Sequence, residues 1–92
     1  MADIDLIKRA LRIDGTDIYD AEIKALIEAC EADMIQSGIS AEKVYSNNNL
    51  ITIAKMVYVK AYFGYNNPDA DALKDDYADR IKKMALLSEY RG

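Results

Sequence analysis

Apolar residues recur at helical spacing through three stretches of this chain and fill a fourth almost without a break. In "DIDLIKRALRIDG", Ile4, Ile7 and Leu11 share one face, with Leu6 and Ala10 beside them. This predicts a short first helix over about residues 3–13, with Asp3 as its N-cap and Gly15 as a left-handed stop. In "TDIYDAEIKALIEACEADMIQSG", Ile23, Leu26, Ile27, Cys30 and Met34 form the stripe, while Glu22, Lys24, Glu28, Glu31 and Asp33 lie mostly off it. A longer helix is expected over about 18–37, with Asp17 or Asp20 as its cap, acidic residues in its first turn where the helix dipole favours them, and Gly38 at its end.

"LITIAKMVYVKAYF", residues 50–63, has only Thr52, Lys55 and Lys60 as polar members. Its β-branched content leaves a strand conceivable. Its length, the lack of a turn signal, Ala54, Met56, Ala61 and the two lysines favour a helix over 50–64. A helix apolar on most sides is buried on most sides, so it is either the central element of the fold or also covered by a neighbouring subunit. Beyond Gly64, Asn67 is positioned to cap a last helix over 68–88 with Pro68 at its first position. Leu73, Tyr77, Ile81, Met84 and Ser88 line one face of that helix. Asp71, Asp75 and Asp76 come early and Lys82, Lys83 and Arg91 late, as the dipole prefers. The tail "SEYRG" is expected to fray. The fold class is therefore all-α: one four-helix domain over residues 1–92.

The longest connection is "GISAEKVYSNNN", residues 38–49, where serines and asparagines compete with helix by bonding to their own backbone. Val44 and Tyr45 are its only large apolar side chains after Ile39. They either pin the loop to the body or offer a hook to a partner.

Ninety-two residues suffice for one modest core, and 51% apolar with 30% charged residues is a globular composition. The net charge of −4 argues against a protein whose task is gripping phosphate backbones. The acidity is concentrated: residues 16–37 carry six carboxylates and one lysine, whereas residues 49–64 carry only Lys55 and Lys60. Such faces offer pairing between neighbours in an oligomer; the plainer reading is a solvated helix face beside a buried helix. Cys30 is the single cysteine, so no intrachain disulfide forms, and its place on the stripe reads as a small core residue in a reduced cytoplasmic setting. The N-terminus does not read as a signal peptide, and no run reaches the roughly 20 apolar residues of a membrane helix.

Catalytic equipment is missing from the pattern. There is no histidine, no glycine loop for phosphate and no calcium-loop spacing. No carboxylate pair stands in a visibly apolar setting. No enzyme activity, cofactor or metal is expected. A helix-turn-helix over residues 3–37 would put acidic side chains into the DNA groove, and a DNA mimic would need a longer, less mixed carboxylate row than residues 17–33 supply. Tyr58, Tyr62 and Tyr65 fall on one side of the central helix and its end, with Phe63 elsewhere. Core packing is the expectation for Tyr58 and Tyr62, while Tyr65 is divided between core and interface.

The order of elements resembles the small head–tail connector proteins of long-tailed bacteriophages and prophages, also called head-completion or adaptor proteins. Three features carry the resemblance: "LRID" at Leu11 to Asp14, the "LIxAA"-type run at Leu26 to Cys30, and the apolar helix ending in Tyr65 and Asn66. It spans about residues 4–67, and the last helix agrees in kind. Asn67, Pro68 and Asp69 stand where family members often carry Arg and Glu. The resemblance implies a structural role: a homo-oligomeric ring of about a dozen copies under the portal protein, extending the DNA channel without gripping DNA, and offering a docking surface to a tail or head-closure protein. It implies residence in the virion after assembly in the bacterial cytoplasm. Candidate subunit or partner contacts are Val44, Tyr45 and Asn48 in the loop, Tyr65, Asn67 and Asp69 at the corner, and Tyr90 in the tail. The alternative from another class is a small helical regulatory module binding one protein partner as a monomer or dimer.

Overall fold

The structure is a computed structural model; it describes residues 2–64 and 67–91, with side chains from Ile4 onward. Five helices follow in order: α1 Ala2–Ala10, α2 Asp20–Gln36, α3 Ala41–Val44, α4 Asn49–Tyr62 and α5 Ala70–Ala85. The four long ones match the hydrophobic periodicity, and the domain is all-α as expected. α3 is one extra turn inside the long connection, where Ser40 accepts the Lys43 amide at 3.3 Å as an N-cap.

The helix ends show how the chain sets its corners. α1 ends with Arg12 in the left-handed region (φ 61°); the Arg12 amide donates to the Arg9 carbonyl and the Ile13 amide to the Lys8 carbonyl, both at 3.0 Å. This is a Schellman turn with arginine where glycine is usual. Gly15 is therefore not the left-handed stop the sequence implied. Stopping at Arg12 brings Leu11 and Ile13 onto the cluster around Ile7, and that packing offsets a conformational cost of about 1 kcal/mol. α2 closes in the same way, with Gly38 at φ 103° and the Ile39 amide reaching the Met34 carbonyl at 3.1 Å. That stop is where the sequence placed it.

The starts differ more. Neither Asp17 nor Asp20 caps α2: the N-cap is Tyr19, with no side-chain bond, and the Asp20 carboxylate instead meets the Lys8 ammonium at 2.8 Å. Asp3 lies within α1, and its side chain falls outside what the structure describes. Asn48 caps α4, its Oδ1 accepting from the Leu50 and Ile51 amides at 2.9 and 3.3 Å. α5 begins at Ala70 rather than Pro68. Asn67 forms a local turn by accepting the Asp69 amide at 3.0 Å, while its side-chain amide donates to the Lys60 carbonyl at 2.8 Å. Asn67 thus ties the end of α4 to the start of α5.

α4 is the central element and packs on α5, α2 and α1. Its two sides serve different clusters. One holds Cys30, Met34, Ile51, Ala54, Tyr77 and Ile81 with their neighbours; the other holds Ile7, Ile23, Ile27 and Val59. Tyr58 packs half-buried on the first, but Tyr62 is 46% exposed, so the core assignment for Tyr62 fails. It is the last residue of α4, its ring stacked on Tyr58 and covered in part by Lys74 of α5.

The C-terminal tail does not fray. Arg91 forms an isolated antiparallel bridge with Ile39, the Ser40 amide donates to the Tyr90 carbonyl at 2.7 Å, and Tyr90 is only 4% exposed. Its hydroxyl donates to Asn48 Oδ1 at 3.2 Å. The tail is thereby stitched to both ends of the 38–49 connection.

Candidate interaction surface

Among the described residues, two polar constellations of the interior are matched within the protomer. Lys55 and Glu31 lie buried in contact, Nζ to Oε2 at 3.0 Å, with Lys55 1% exposed. The sequence reading placed Glu31 off the stripe and saw no carboxylate paired in apolar surroundings; both expectations are corrected here. A signal was present. Glu31 continues the row Ile23–Ile27 at spacing four, and Lys55 stands between Ile51 and Val59 at the same spacing, so each charge interrupts a buried row. In the second constellation the Tyr77 hydroxyl donates to Asp33 Oδ2 at 2.7 Å and receives the Cys30 thiol at 3.7 Å. Burial pushes the Cys30 thiol up to about 12 and raises Tyr77 well above the ordinary phenol range, with the Asp33 hydrogen bond adding to the latter. Both groups stay protonated at neutral pH, so Cys30 is a quiet core residue.

Pairing inside the protomer also redraws the charge map. Glu31 and Asp20 each meet a lysine and Asp33 holds Tyr77, while Lys55 is interior. The basic counterpart expected on residues 49–64 shrinks to Lys60. Exposed cations gather instead on α5, at Lys74, Lys82 and Lys83.

The predicted contact residues divide sharply. Val44 is fully buried and Tyr90 nearly so, and Asn48 is occupied as a cap and tail anchor. Tyr45 is 63% exposed and Asp69 is exposed, while Asn67 is half-buried in its clasp on α4. Tyr65 lies outside the described residues. The structure therefore brings Asn48 and Tyr90 together and leaves Tyr45 and Asp69 outward.

Sequence reasoning missed the most exposed apolar side chains among the described residues. Ile18, in the α1–α2 loop, and Leu86, at the end of α5, are each 74% exposed. Ile18 adjoins Tyr19, whose ring meets Phe63 edge-on at 5.4 Å. Leu86 borders a groove of ≈ 650 Å³ between the end of α2, the end of α4 and α5. A smaller groove of ≈ 260 Å³ runs between Leu50, Met84 and Leu87. Among the described residues no group of His, Cys, Asp and Glu is arranged to hold a metal, and no helix is long and apolar enough to cross a membrane.

Paired polar groups inside and exposed apolar side chains outside describe a small all-α protein. The chain belongs to the phage connector protein family, whose model matches residues 4–91. The match takes in α5 and the tail as well as the segment 4–67 that carried the resemblance. No curated protein and no solved structure matches the chain. The family is structural rather than catalytic, a virion component acting together with other phage head and tail proteins.

Proposed function

We propose that this protein is a subunit of a homo-oligomeric ring, of about a dozen copies, that sits between portal and tail and extends the DNA channel. The carrying observation is membership of the connector family over residues 4–91. The surface agrees with that reading. Exposed Ile18, Tyr45 and Leu86 are at different places on one small domain, as head-to-tail contacts require, and a heterologous contact closes into a ring when its rotation permits. An acidic subunit, with 16 carboxylates against 12 basic side chains, lets DNA pass without adhering.

In this reading the protein assembles in the host cytoplasm onto the portal and remains in the virion. Tyr45, on the loop stitched to the tail, is the residue for portal or tail proteins. The corner at Tyr65, Asn67 and Asp69 faces a neighbouring subunit. Native mass spectrometry at raised concentration, with and without the cognate portal, tests the proposal. Ring-sized oligomers or a portal complex are expected; a strict monomer that also ignores the portal overturns it.

A further inference from the structure

We propose that the α1–α2 loop of one protomer docks Ile18 into the α2/α4/α5 groove of a second copy of this chain. The inference rests on the ring reading and names the two surfaces that join neighbours.

The knob is a held turn. The Thr16 amide donates to the Ile13 carbonyl at 3.3 Å, the Ile18 amide to Thr16 Oγ1 at 3.3 Å, and the Asp20 amide to the Asp17 carbonyl at 3.2 Å. Tyr19 is braced on Phe63 and Asp20 on Lys8. Ile18 therefore projects from a loop that is already ordered, so docking it costs little further conformational entropy. Around it Asp14, Asp17 and Glu22 are exposed.

The groove is its complement. Tyr62, Tyr77, Ala78, Ile81 and Leu86 supply an apolar lining. Lys74 and Lys82 stand at its edge, Lys74 lying 4.9 Å from the centre of the Tyr62 ring, and among the described residues neither lysine has a carboxylate at ion-pair distance. Asp33, the one carboxylate of the lining, is taken up by the Tyr77 hydroxyl. An acidic turn with an apolar tip thus meets an apolar groove with an uncompensated cationic edge. The smaller groove lacks this preference, because its Arg80 and Lys83 are already paired with Asp76 and Asp79 at 3.0 and 2.9 Å.

The occupant is another copy rather than the same one. Ile18 precedes the first turn of α2, while the groove uses Asp33 and Ser37 at its last turn, about 22 Å further along a helix. Knob and groove at separate places make a head-to-tail contact.

The test is a full-length variant carrying Ile18→Cys and Leu86→Cys, oxidised mildly with and without the cognate portal and read beside native mass spectrometry. Cys30 stays in place because it is buried. A disulfide ladder continuing past dimer is expected, with neither single variant giving one. Native oligomers without a ladder, or cross-linking that stops at dimer, overturn this contact and leave the ring reading standing. A parent protein that forms neither an oligomer nor a portal complex removes both. Asp17→Lys and Lys82→Glu should each weaken association about three- to tenfold, and the combined variant should recover most of it; failure to recover overturns the charge pairing.

Discussion

Tyr90→Ala asks whether the last turn of the chain belongs to the fold. The ring is 4% exposed and packs in the cluster with Val44, Ile39 and Ile51. Truncating a buried aromatic to alanine costs about 3–5 kcal/mol where the site cannot collapse. The lost hydroxyl bond to Asn48 adds little, because Asn48 Oδ1 keeps its two amide donors. Lys43 lies 5.5 Å from the centre of the ring and contributes at most about 1 kcal/mol. A position outside the helices relaxes more easily than a helix interior, which places the total at about 3 kcal/mol. A domain of this length has a total stability of roughly 5–14 kcal/mol, so the melting temperature should fall by about 12–24 °C. Urea unfolding followed by helical circular dichroism measures it, with Tyr90→Phe as the control at about 0.5 kcal/mol or less. A Tyr90→Ala variant within about 0.5 kcal/mol of the parent would refute the reasoning and restore a frayed tail.

Two further outcomes follow from the interior. Lys55→Met strands the Glu31 carboxylate among apolar neighbours and should cost about 3–5 kcal/mol, much of it recovered when Glu31→Gln is added; additive losses in urea titrations would contradict the coupling. Because the folded Cys30 pKa is raised from 9.0 to about 12, the folded state binds more protons than the unfolded one in that interval. Stability is therefore full below pH 9 and declines from there toward pH 12; a flat urea midpoint from pH 8 to 11 would contradict this.

Much of the fold was legible because each long helix carries its own row: Ile23–Ile27–Met34 on α2, Tyr77–Ile81–Met84 on α5. What escaped is what depends on distant partners. Nothing local to "SEYRG" announces that Tyr90 will meet Asn48, 42 positions earlier. Arg12 looks like an unlikely left-handed residue until Ile13 is seen to pack on Ile7. Lys55 counted toward the local positive charge of residues 49–64 because only the fold shows Glu31 opposite it. The exposed apolar surface was the least legible part. Tyr45 was singled out and is exposed, but Ile18 sits on an apparently ordinary turn, and exposure of a single isoleucine leaves no periodic trace.

α4 has the character of a party wall. The cluster gathered by α1 and the one gathered by α5 lie against different parts of it. Residues of α1 and α5 that share no partner have effects that add. Each side of the domain can therefore accumulate substitutions with little regard to the other, so long as the wall between them is kept.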